Sequence, residues 1–141
     1  MEYHQQLEQD YVFPIVQKDE QYRELVDTLL TQHEAAKCLT DHTLAMLQSE
    51  FDHKRLSALL SDFIDMYEPH SAREDTVVFP AFHQMTPADA FSELGELFES
   101  IEEQKFGENG FGTILGQVEQ IEQMLNIYDL DMFTAHCETA R

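Results

Sequence analysis

At 141 residues, 43% of them apolar, the chain can bury one respectable core and suits a single domain. Its 28 Asp and Glu against 8 Lys and Arg give a surface that repels phosphate backbones and anionic headgroups, so nucleic acid and membrane surfaces are excluded as partners. Two cysteines without a Cys-x-x-Cys pair, no apolar run of bilayer length and no basic-then-apolar start exclude a disulfide framework and a membrane span, and a reduced, cytoplasmic setting is expected.

The chain opens on His4-Gln-Gln-Leu-Glu8, followed by Val12-Phe13-Pro14. From Tyr22 to Leu47 the residues Leu25, Leu29, Ala36 and Met46 recur at three- and four-residue spacing, which predicts one long amphipathic helix. His33 lies one turn beyond Leu29 on that stripe. Cys38, among Ala35, Leu39 and His42, is expected as a buried free thiol, and His42 lies about a quarter-turn off the face of His33.

A second helix is predicted from about Phe51 through Leu56, Leu59, Phe63, Ile64 and Tyr67 into His70, Glu74 and Val78, ending near Phe79-Pro80. Pro69 removes one backbone hydrogen bond directly beneath His70. Thr86-Pro87-Ala-Asp89 has the form of an N-cap, a proline and a first-turn acid, so a third helix should start there. It carries Phe91, Leu94, Phe98 and Ile101 to the Gly107-Glu-Asn-Gly110 turn. Ile114, Leu115, Val118, Ile121 and Leu125 mark an extra C-terminal helix over 111–125, and residues 126–141 thin into a tail that holds Cys137 and His136. No strand pattern occurs. Short connections make antiparallel neighbours, and the expected architecture is an all-α, up-and-down helical bundle.

The stretch around His70 repeats the start of the chain. His, Glu, Val, Phe and Pro recur at one constant offset, His4 answering to His70 and Pro14 to Pro80. Residues i and i+4 share a helical face, so each copy offers an imidazole and a carboxylate to one point. Such a pair alone is an ordinary surface contact. Two copies with the same Val-Phe-Pro tail, and His33 on an apolar stripe between them, make a ligand set of His4, Glu8, His33, His70 and Glu74 expected to converge inside the bundle. Imidazole with carboxylate suits iron, with manganese or zinc as alternatives. His53, His83 and His136 read as solvent-exposed, and His42 as no ligand.

The order His-x-x-x-Glu, single His, His-x-x-x-Glu resembles the hemerythrin-like cation-binding domain, in particular its bacterial branch. Tyr67-Glu-Pro-His-Ser-Ala-Arg-Glu-Asp-Thr-Val-Val-Phe-Pro-Ala-Phe82 is similar to that branch's second ligand motif, and Phe106-Gly-Glu-Asn-Gly-Phe111 and Ile127-Tyr-Asp-Leu130 to its C-terminal extension. The resemblance implies a four-helix bundle around a non-haem di-iron centre, with His33 and His70 on one iron, His4 on the other, and Glu8 and Glu74 bridging. It implies binding or sensing of dioxygen, nitric oxide, redox state or iron status rather than turnover. The family begins with a further helix that supplies another His. Here three residues precede His4, so a fragment, or a bundle completed by a second copy as a homodimer or larger assembly, is expected. The competing reading is a metal-free helical interaction module that self-associates or binds a partner through an exposed apolar groove.

Overall fold

The computed structural model describes residues 2–48 and 52–134, the side chains of Glu2 and Leu130 excepted. Phe51, His136 and Cys137 lie outside them. The described residues form helices and turns with no strand, and the chain divides into two compact units, Met1–Glu93 and Leu94–Arg141.

In the first unit, helix α1 covers residues 2–16 and α2 is Arg23–Leu47. Helix α3 runs over residues 53–85, from His53–Arg73 through Glu74–Val78 into Phe79–Met85. Asp52 starts α3 by accepting hydrogen bonds from the backbone N–H groups of Lys54 and Arg55 at 2.9 and 3.2 Å, which satisfies two of the donors that a helix start leaves unpaired. The Phe13–Val16 stretch of α1 packs on Phe79–Met85 and on α2, and His53–Arg73 packs along α2. Val12, Phe13, Val16, Val26, Leu29, Val78, Ala81 and Phe82 are buried there. Full burial of a Val, Leu or Phe side chain contributes about 1.5–3 kcal/mol.

The expected end of the second helix at Phe79-Pro80 does not occur. The chain continues helically to Met85 because the turn before each proline is widened: Glu8–Val12 and Glu74–Val78 are both π-helical. The N–H of Phe13 donates to the carbonyl of Glu8, and the N–H of Phe79 to that of Glu74, each across five residues. A proline ring clashes with the carbonyl four residues back in a regular helix, and a wide turn just ahead of it moves that carbonyl aside. The repeated motif is therefore a repeated backbone feature. In a regular helix Phe13 would point about 140° away from Glu8. The five-residue turn brings it round to the same side, where it is 1% exposed.

Thr86 also departs from expectation. Its hydroxyl donates back to the Phe82 carbonyl at 2.7 Å, closing α3 instead of capping the next helix. Helix α4, Ala88–Phe106, then follows with Asp89 in its first turn. Phe91 meets the rings of Phe82 and His83 at centroid distances of 5.8 and 5.0 Å.

In the second unit, Gly107 at φ 83° ends α4, a left-handed conformation that costs glycine little. Helix α5, Gly110–Leu125, ends on left-handed Asn126, whose N–H and that of Ile127 donate to the Gln123 and Glu122 carbonyls at 3.1 and 2.9 Å, a Schellman closure. Its apolar residues stay largely in solvent, with Phe111 72% and Met124 86% exposed. No described helix is long and apolar enough to cross a membrane.

Candidate metal centre

Three helices of the first unit bring five side chains together: His4 and Glu8 from α1, His33 from α2, His70 and Glu74 from α3. His33 follows Leu29 by one turn, so the stripe that anchors α2 in the core carries the imidazole in with it. Nε2 of His4 lies 2.9 Å from Oε1 of Glu8, and Nε2 of His70 lies 3.0 Å from Oε1 of Glu74. His33 sits between the two pairs, its Nε2 3.5 Å from Oε2 of Glu8 and 3.7 Å from Oε1 of Glu74.

Glu8, His33, His70 and Glu74 are buried. His4 is the exception to convergence in the interior: its side chain is 64% exposed and only its Nε2 end reaches inward to Glu8. Each of the other two imidazoles is covered by a ring. Phe13 stacks on His33 at 5.4 Å and Tyr67 on His70 at 6.0 Å, while the two imidazoles stand 5.0 Å apart.

Both oxygens of Glu8, Oε1 of Glu74 and Nε2 of His33 are buried without a hydrogen-bond partner. The approaches of 2.9 and 3.0 Å are thus close in distance but do not line up as donor and acceptor. Leaving a buried polar atom unpaired costs roughly 1–3 kcal/mol, more when it is charged, against a typical net stability of about 5–15 kcal/mol. Acceptors that face one another across such short gaps are what a bound cation satisfies. Burial by itself pushes the Glu74 carboxyl up, but its approaches to His33 and His70 outweigh this and hold it at about 2, below the ordinary 4.5. The Glu8 carboxylate raises the pKa of His4.

Two groups of donor atoms lie close enough to hold a metal ion: His33, His70 and Glu74, all buried, and His4, Glu8 and Glu74, with His4 exposed. Glu74 belongs to both. Three imidazoles and two carboxylates form a borderline-hard donor set with no thiolate, which fits iron, manganese or zinc.

The remaining sequence expectations sort cleanly among the described residues. His42, His53 and His83 are exposed. Cys38 is exposed as well, as a free thiol and not a buried one. It lies beyond Ala36, where α2 also exposes Lys37, Thr40, Asp41 and His42. Two residues around the site were not singled out by pattern: Gln9, whose amide meets Nδ1 of His33 at 3.0 Å, and Gln32, whose Oε1 meets Nδ1 of His70 at 2.8 Å. Each directly adjoins a ligand candidate in sequence, Gln9 after Glu8 and Gln32 before His33, which was the available signal.

A helical unit that points imidazoles and carboxylates from separate helices at one interior locus has the construction of the helical metal-binding proteins. The chain belongs to the family described as the Hemerythrin HHE cation binding domain, which matches residues 1–82. It is 42% identical over 138 residues to uncharacterized proteins of Mycobacterium bovis and of two strains of Mycobacterium tuberculosis, covering 94% of this chain and 54% of theirs. The chain thus spans about half the length of the curated relatives it matches. No solved structure matches it significantly.

Proposed function

We propose that the protein is a non-haem di-iron protein that binds or senses a small gas, dioxygen or nitric oxide, or the redox and iron status of the cell. One observation carries this reading: the two donor groups share Glu74, so that two cations held there would lie side by side with carboxylate between them. In this reading His33 and His70 would hold one metal and His4 the other, and Glu8, with Oε1 toward His4 and Oε2 toward His33, would serve both together with Glu74. Iron would supply one-electron chemistry and open coordination positions, five protein donors being too few to saturate two ions. The residues' own work is to exclude water and hold geometry: Phe13 and Tyr67 cover the faces of His33 and His70, and the wide turns bury both carboxylates. Among the described residues no acid–base pair aimed at an organic substrate accompanies them, and we favour binding over turnover.

The metal-free interaction module is the second reading, favoured by the exposed apolar residues of α5, and self-association as a homodimer is its simplest form. It leaves the buried, unpartnered atoms of Glu8, His33 and Glu74 without a purpose. Anaerobic loading with ferrous iron followed by metal analysis separates the two. An iron-to-chain ratio near two supports the di-iron reading, and substoichiometric iron that does not rise with loading overturns it.

A further inference from the structure

We infer that Gln9 and Gln32 are positioning residues that lock the tautomers of His33 and His70, and that they do so with neutral amides in order to hold the rings without adding buried charge. The inference rests on the metal-binding reading and deepens it. Oε1 of Gln32 is a pure acceptor, so at 2.8 Å from Nδ1 of His70 it requires the proton on that nitrogen. Nε2 is then left with its lone pair, directed at the locus it shares with Glu74. Nε2 of Gln9 lies 3.0 Å from Nδ1 of His33 and, so placed, donates to it, leaving the ring proton on Nε2. A 180° rotation of that amide exchanges its nitrogen for its oxygen at the same position, imposes the tautomer of His70 on His33, and frees the Nε2 that is otherwise buried without a partner.

The connectivity has one pattern. Gln9 adjoins the ligand candidate Glu8 on α1 and grips the imidazole of α2, while Gln32 adjoins His33 on α2 and grips the imidazole of α3. Each helix thus fixes a donor on the next. Metal-ligating histidines commonly give their second N–H to a carboxylate, which makes the ring a stronger donor. Here Glu8 and Glu74 already put two carboxylates in the interior of a chain of formal charge −20, and further buried anions would carry a large desolvation cost. An amide keeps the orientation and leaves the ring less electron-rich, which favours the reduced, less charged metal.

Gln32→Met and Gln9→Met keep side-chain length and remove the hydrogen bond, and Gln32→Glu restores an acceptor with charge. Two measurements are needed: anaerobic ferrous affinity by competition, and nitrogen–proton correlation spectra of the imidazoles in the metal-free protein at alkaline pH. Both Met variants should bind iron about 10- to 100-fold more weakly, with His70 losing its single tautomer in Gln32→Met and His33 in Gln9→Met. Gln32→Glu should recover affinity and move the reduction potential of the loaded protein to more negative values. Unchanged affinity together with unchanged tautomers in the Met variants overturns the inference. If the wild-type chain takes up no iron, the di-iron reading fails, and the metal-free spectra still decide whether the two amides hold the rings. A Met variant that fails to fold leaves the decision to Gln32→Glu, where a potential identical to wild type counts against the inference.

Discussion

The two His-x-x-x-Glu stretches share their residues, their wide turn and the burial of their carboxylate, yet they treat their imidazoles in opposite ways. His70 is enclosed by Tyr67 on one face and held at Nδ1 by Gln32, whereas His4 is mostly in solvent and meets Glu8. The motif therefore specifies the carboxylate and the backbone around it. The imidazole is specified by what precedes the motif and by what the neighbouring helix offers. A half-site with a buried, oriented ring should bind first and tightest, and one with an exposed ring later and more weakly.

The strongest way to break this contrast is to remove the residue common to both halves. Glu74→Ala should abolish metal uptake in both, while Glu8→Ala and His4→Ala should leave the site of His33, His70 and Glu74 able to take one ion. Metal analysis after ferrous loading reads the difference directly, and equal loss in all three variants would show that the halves are not separable. In stability the contrast runs between the histidines. His70→Ala opens a cavity beside Tyr67 and leaves Gln32 unpaired, at an expected cost of about 2–4 kcal/mol, but His4→Ala should stay within about 0.5 kcal/mol. Urea unfolding of the metal-free proteins measures both.

Protonation sharpens the same comparison. Because the carboxyl of Glu74 is lowered from 4.5 to about 2 in the folded chain, its contribution to stability is present above 4.5 and disappears as pH falls toward 2. His4 is raised above 6.5, so its small contribution is present below 6.5 and fades as pH rises through the raised value. Metal-free unfolding across this range should show a clear acid loss that Glu74→Gln removes, and only a shallow change near neutrality that His4→Ala removes. The smallest effects belong to His53→Ala and His83→Ala, exposed residues whose loss should leave metal content at the wild-type value.

The donors were legible in the sequence because their geometry is local: an i, i+4 pair on a helix declares itself without knowledge of the tertiary structure, and His33 stands out against an apolar stripe. What depended on another helix was not. Gln9 and Gln32 look like ordinary helix-surface glutamines until α1, α2 and α3 approach one another. Cys38 shares a periodic stretch with Ala35 and Leu39, yet it faces solvent. The proline rule placed a helix end at Phe79-Pro80, and it failed because the wide turn absorbs the ring. The signal for that turn was present as a proline six residues after each glutamate, but its reading requires the five-residue hydrogen bonds of Phe13 and Phe79.

Those turns have a consequence for how the protein tolerates change in length. A widened turn is one extra residue in the helix, so deleting Asp10 or Thr76 would close it to a regular turn and set the proline ring against the carbonyl four residues back. Everything beyond the deletion would keep its side, because four regular steps from the glutamate turn the chain by about 40° net where five would turn it by about 140°. Phe13 would still face the ring of His33, and the apolar face of Phe79–Met85 its partner on α1, so the cost would fall on the proline contact. An in-frame loss of a single codon would thus preserve the register of the apolar face and strain the backbone, so the extra residue in each turn serves the proline and not the alignment of the helix.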